Sequence, residues 1–128
     1  MSEKIKVPYA VWTVGDEEHK LKLKTSSIKD LEVKYKQNLL NLMGSTTGAG
    51  MPPLATMLDI THVAMKTFHS GLKPKEVDDI FDNYIDEGGS QLDFYMNVYM
   101  KIFTVSGFFS ETLAENMDKT LEEAKQTL

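Results

Sequence analysis

Residues 7–25, VPYAVWTVGDEEHKLKLKT, decide the fold class of this chain. Val7 to Val14 is rich in β-branched and aromatic residues, Gly15-Asp16 reads as a turn, and His19 to Thr25 alternates polar and apolar positions with Leu21 and Leu23 on one face. That pattern predicts a β-hairpin over residues 5–25. An isolated hairpin is marginal in water, so this one must lie against helices or against a strand of another subunit.

The pattern changes to helical spacing after Thr25. Ser27 and Asp30 resemble a capping box, and Ile28, Leu31, Tyr35, Leu39 and Leu42 predict a helix to about Met43. Gly44 to Pro53 has three glycines, a double proline and no apolar periodicity, which predicts a mobile loop without apolar anchors. No Gly-Lys-Ser/Thr triplet closes it, so a phosphate-binding loop is not expected. Leu54, Met57, Leu58, Thr61, Ala64, Met65 and Phe68 form the stripe of a second helix ended by Gly71. Pro74 opens a third helix on Val77, Ile80, Phe81, Tyr84 and Ile85, with an acidic opposite face, and Gly88-Gly89 stops it.

Ser90 with Asp93 caps a fourth helix. Its run of Leu92, Phe94, Tyr95, Met96, Val98, Tyr99, Met100, Ile102 and Phe103 leaves little polar surface, as in a helix that is central or partly at an interface. Ser106-Gly107 breaks it, Phe108-Phe109 follows, and Ser110 opens a last helix carrying Leu113, Met117, Leu121, Ala124 and Leu128. The expected class is mainly α (α+β): an N-terminal β-hairpin followed by about five helices packed as a small bundle, in one domain over residues 1–128.

Composition narrows the function. With 128 residues, 41% of them hydrophobic, the chain can bury one core. It has no cysteine, which suits a reducing compartment and removes thiol nucleophiles and cysteine-ligated zinc. Met1 to Lys6 lacks the apolar core of a signal peptide, and no run of eighteen apolar residues occurs, so secretion and membrane spanning are not expected. All 14 basic residues are lysine and the net charge is -5. Without arginine's forked donors and with an acidic balance, nucleic-acid binding is disfavoured. Charge is unevenly placed: eight lysines stand against six carboxylates up to Gly50, and six against thirteen from Met51 on, giving +2 and -7.

Several constellations invite chemistry. Asp59, His62 and His69 could share a helix face, but the two histidines are nearly two turns apart, too far to hold one ion easily. Asp82, Asp86 and Asp93 suggest a calcium loop, yet Tyr84 and Glu87 occupy positions that need a ligand and the turn glycine. The helices on either side of Gly88-Gly89 lack base-reading groups on the second one, so an αα-hairpin is expected in place of a DNA reader. No nucleophile with its base and no poised carboxylate pair stands out, and neither an enzyme nor a cofactor is expected. Eight methionines suit either core filling or adaptable surfaces. The last helix sets its apolar stripe opposite Glu111, Glu115, Asp118, Lys119, Glu122, Glu123 and Lys125, and that stripe must be buried in the chain's own core or on another subunit.

Several blocks taken together resemble the small tail assembly chaperones of long-tailed phages (siphophages) of Gram-positive bacteria. They are Val7-Pro8-Tyr9 with Trp12 and Leu21-Lys22-Leu23, Ile28 to Leu42, Pro52-Pro53-Leu54 with Ile60-Thr61-His62, and Asp86-Glu87-Gly88-Gly89 with Val105-Ser106-Gly107-Phe108-Phe109. The resemblance implies a protein of the host cytoplasm, absent from the mature virion, that binds the long apolar tape measure protein. It implies that this client is kept soluble and that the tail tube protein is a further partner. No catalytic residue is carried over. Phe108, Phe109, Leu113, Met117, Leu121 and Leu128 are the expected partner-binding residues, chosen for apolar exposure. A homo-oligomer is expected from the charge asymmetry, the hairpin edge and the last helix. Two other classes fit the composition: an acidic nucleic-acid mimic that blocks a host protein through Glu76 to Asp93, and a structural head-tail or tail component.

Overall fold

The computed structural model describes residues 9–44 and 50–126. Strands β1 (Ala10–Val14) and β2 (Glu17–Leu21) form a two-stranded antiparallel sheet, with Trp12 opposite His19 and Val14 opposite Glu17. Gly15 takes the positive φ of 61° that the tight turn requires, and its N–H donates to Glu87 Oε1 at 2.7 Å. Ala10, Trp12 and Val14 are buried, and Val11 and Thr13 face outward. The second strand runs earlier than its alternation predicts. The two-residue turn starts the ladder at Glu17, and beyond Leu21 the backbone finds other partners. Lys22 N–H donates to the Ala64 carbonyl at 3.2 Å, Leu23 N–H to Ser106 Oγ at 3.0 Å, and the Thr67 hydroxyl to the Lys22 carbonyl at 2.5 Å. Leu23 is buried as expected, but outside the ladder. Val7 and Pro8 lie outside the described residues.

Helix α1 (Thr25–Tyr35) begins two residues before Ser27, after Lys24, which makes no side-chain cap bond, so the expected capping box is not used. The helix also stops well short of Met43. Lys36 turns left-handed at φ 58°, and Asn38 accepts from Leu40 N–H at 2.9 Å to open a separate 3-10 turn, Leu39–Leu42. Glu32 Oε2 accepts from Leu39 N–H at 2.8 Å, and Leu39 is fully buried. A local side-chain cap has outcompeted continuation of the helix. The expected loop falls partly on residues 45–49, which lie outside the described residues. Its described end does carry an apolar anchor, since Met51 is half-buried against the core.

Helix α2 (Leu54–Lys66) buries Met57, Ile60, Thr61, Ala64 and Met65. Phe68 lies past its end and is 47% exposed, its ring 5.7 Å from that of Tyr9. Helix α3 (Pro74–Asp86) starts at its proline, with Glu76 Oε1 accepting from Lys73 N–H at 2.7 Å, and buries Val77 and Phe81. It ends where Gly89 N–H donates to the Tyr84 carbonyl at 2.9 Å. Residues 91–105 follow as one helical rod: α4 (Gln91–Phe94), a π turn (Tyr95–Tyr99) and α5 (Met100–Val105). Ser90 Oγ accepts from Asp93 N–H at 3.0 Å, as its capping position predicts. Helix α6 (Glu111–Gln126) completes the order. A hairpin followed by five helices, counting the rod as one, is the α+β bundle expected from the sequence.

The core is centred on Trp12. Its ring lies 4.9 Å from Phe94, 5.8 Å from Tyr84 and 6.4 Å from Phe81, while Tyr99 and Phe103 extend the aromatic layer along the rod. The Tyr99 hydroxyl donates to the Leu42 carbonyl at 2.5 Å, tying the rod to the 3-10 turn. Met57, Met65 and Met96 are buried and Met43, Met51, Met100 and Met117 half-buried, so the methionines act first as core and core-edge filling.

A Cβ added at Gly89 would sit 2.5 Å from the Tyr84 ring. Gly89→Ala should therefore cost about 1 to 3 kcal/mol as overpacking, read by urea unfolding. His19 supplies a second prediction. Burial holds its imidazole below the ordinary value, reinforced by His69 and opposed by Glu17. The folded state thus resists a proton that the unfolded chain accepts below about pH 6.5, so stability should fall as pH drops from 7 to 5. His19→Gln should flatten that part of a plot of Tm against pH.

Candidate functional site

The surface singled out by the sequence begins where the rod ends. Ser106 closes α5, Gly107 takes a φ of 88°, and the chain turns so that Phe108 packs on Phe103 with ring centroids 5.2 Å apart. Phe109 stands 6.5 Å from Phe108, and both are half-buried against the core. Ser110 then caps α6, its hydroxyl accepting from Leu113 N–H at 3.2 Å. Leu113 is 48% exposed, while Met117 is half-buried. Helix α6 packs against α5 and the π turn, and Lys101 Nζ lies 3.5 Å from Asp118 Oδ1 across that seam. A partly exposed pair of this kind is worth only about 0 to 1 kcal/mol, so apolar packing does most to hold the helix. The structure thus brings Phe108 and Phe109 together at the core edge and leaves Leu113 outward. The Leu121 side chain and all of Leu128 lie outside what is described.

A concavity lies elsewhere on the surface, where no sequence motif marks it. An open groove of about 390 Å³ lies between α1 and α2, lined in part by Lys24, Ser27, Asp30, Lys34, Asp59 and Lys66. Asp59 Oδ2 accepts from Lys34 Nζ at 2.7 Å and from the Tyr35 hydroxyl at 2.6 Å. Burial, and then the Asp59 carboxylate, push the Tyr35 phenol up to about 12. At neutral pH this phenol is a fixed donor, and the carboxylate oxygen it meets already holds two protons' worth of hydrogen bonding. The cluster is a tie between α1 and α2. The helical spacing of Tyr35 and Asp59 could have placed each on its own helix, but nothing in the sequence pairs them.

The candidate metal ligands are engaged separately. Asp59 belongs to the tie just described, His62 Nε2 is 2.7 Å from the Leu72 carbonyl oxygen, and His69 is exposed. Among the described residues no group of three or more His, Cys, Asp or Glu could hold a metal ion. Asp82 and Asp86 sit on α3, in helical and not loop geometry. Among the described residues no helix is long and apolar enough to cross a membrane.

Asp59→Ala should destabilise the fold by roughly 1 to 3 kcal/mol, since it strips a half-buried phenol of its acceptor. It should also lower the titration of Tyr35, followed by ultraviolet absorbance and assigned by comparison with Tyr35→Phe.

No curated protein and no solved structure matches this sequence. Residues 5–128 match a family of unknown function (DUF6096), and the chain belongs to that family.

Proposed function

We propose that the chain is a phage tail assembly chaperone whose last helix takes up apolar helices of a tape measure protein, keeping that client soluble while the tail tube assembles. The observation that carries this reading is α6 itself: an amphipathic helix at the edge of the bundle, seated on α5 and the π turn, with Leu113 exposed and Phe108 and Phe109 at its root. An unassembled tape measure protein presents long apolar helical stripes, and a helix packing against another helix through such stripes needs no catalytic group or cofactor. Burying side chains of this size contributes roughly 1.5 to 3 kcal/mol each before ordering costs, so a few anchors reach micromolar affinity. Repetition along an oligomer adds avidity. On this reading the protein acts in the host cytoplasm and leaves before the virion is complete.

One observation favours a second reading. Asp78, Asp79, Asp82 and Asp86 are all exposed on α3, as an acidic mimic of nucleic acid would require. Salt separates the two, because a charge-driven complex weakens steeply with ionic strength and an apolar one scarcely changes.

The test is co-expression with a tape measure protein from the same phage. The client should stay in solution and co-purify at both low and high salt. Replacing Leu113, Met117 and Leu121 together with Asp should release it while the circular dichroism of the bundle is kept. A triple variant that stays folded and holds the client as tightly as the parent would remove α6 from the site.

A further inference from the structure

We propose that the groove between α1 and α2 binds a small phosphomonoester, its phosphate held at one end by Lys24 and Lys66 and its organic part laid over Leu31 and Val63. The groove is separate from α6, so this does not rest on the client reading. Hydrogen bonds between the two helices fix which residues share an end of the groove. Lys22 N–H donates to the Ala64 carbonyl and the Thr67 hydroxyl to the Lys22 carbonyl, which sets the start of α1 beside the end of α2. Lys34 Nζ and the Tyr35 hydroxyl donate to Asp59, which sets the end of α1 beside the first half of α2. Lys24, Ser27, Lys66 and Ser70 therefore line one end. Lys34 and Asp59 line the other, about 15 Å away along ten residues of α1.

The two ends differ in what their polar groups already do. At the Lys34 end an ammonium, a phenol and a carboxylate satisfy one another. At the Lys24 end, among the described residues, the ammonium groups of Lys24 and Lys66 and the hydroxyls of Ser27 and Ser70 meet no partner. No carboxylate offsets the two lysines there. Asp30, the groove's other acid, is six residues along α1 from Lys24, about 9 Å, and Asp59 is nearly two turns along α2 from Lys66.

That donor set selects the ligand. Two ammoniums and two hydroxyls, contributed by both walls, match a phosphate dianion in charge and in its three terminal oxygens, whereas a carboxylate brings half the charge. Lysine serves phosphate as a point charge, so the absence of arginine is no obstacle. The groove, about 390 Å³, is larger than one phosphate needs and falls in the range of small-molecule sites. Leu31 and Val63 give it an apolar stretch between the two ends. Asp30 and Asp59 repel a second anion, which favours one phosphate with a neutral organic group over a diphosphate or a nucleic-acid strand.

The test is an amide NMR titration of the full chain with inorganic phosphate and with phenyl phosphate. It is run at about pH 8, where both are dianions, with chloride holding the ionic strength constant. Both probes should give saturable shifts centred on Ser27 and Ser70, and phenyl phosphate should bind at least threefold tighter. Lys24→Gln with Lys66→Gln should weaken binding at least tenfold and leave circular dichroism unchanged, since neither side chain ties the fold. Lys29→Gln, at an exposed lysine of α1 outside the groove, should bind as the parent does. Shifts that do not saturate, shifts as large around Lys29 as around Ser27, or a double variant that binds as tightly as the parent overturn the proposal. Equal affinity for the two probes overturns the placing of the organic part on Leu31 and Val63.

Discussion

The fold hangs on one side chain, Trp12. A two-stranded hairpin is marginal alone, and this one is held because its central inward residue is wedged among Phe81, Tyr84 and Phe94. Among the described residues the indole N–H finds no acceptor, which would cost about 1 to 3 kcal/mol. Three aromatic contacts worth about 0.5 to 1.5 kcal/mol each, on top of nearly complete burial, outweigh it. Helices α3 and α4 in turn have their aromatic faces aligned by the same ring. Remove the indole, and both the sheet and the helix pair lose their common neighbour.

Polar ties then fix what the apolar core leaves free to slide. Gly15 to Glu87, Leu23 to Ser106 and Tyr99 to Leu42 each join segments more than fifty residues apart. Each joins the end of one element to the end or side of another, where backbone groups would otherwise lack partners. The Glu87 bond is the most economical: a residue at the close of α3 receives the N–H of the hairpin turn, so one carboxylate registers the sheet on the helices. The part of the chain tied this way runs from the hairpin to Ser106, while α6 rests on side-chain packing.

What the sequence disclosed follows the range of the physics involved. Ser90, Ser110, Pro74 and Gly88-Gly89 act within one turn of themselves, and the helix limits they set were legible. The end of α1 was not. Lys36 adopts a left-handed conformation that glycine or asparagine would have announced, and the Asn38 cap is indistinguishable from an ordinary polar residue on a helix face. The departure of β2 after Leu21 depends on Ala64 and Ser106, which no local pattern connects to Lys22 and Leu23. The same applies to the surface of α6. Its stripe was readable, whereas the half-burial of Phe108 and Phe109 and the exposure of Leu113 depend on how the rod directs the chain after Gly107.

The π turn at Tyr95–Tyr99 sets that direction. Such a turn holds one residue more than an α turn, about 100° of helical phase. The rod can therefore address two neighbours that do not lie on one straight stripe: Phe94 meets the hairpin, while Tyr99 reaches Leu42 and Phe103 meets Phe108. In genetic terms the turn is equivalent to a one-codon insertion in an ordinary helix. A relative lacking that codon would have the same composition and hydropathy, yet would aim its terminal helix from a different side of the bundle.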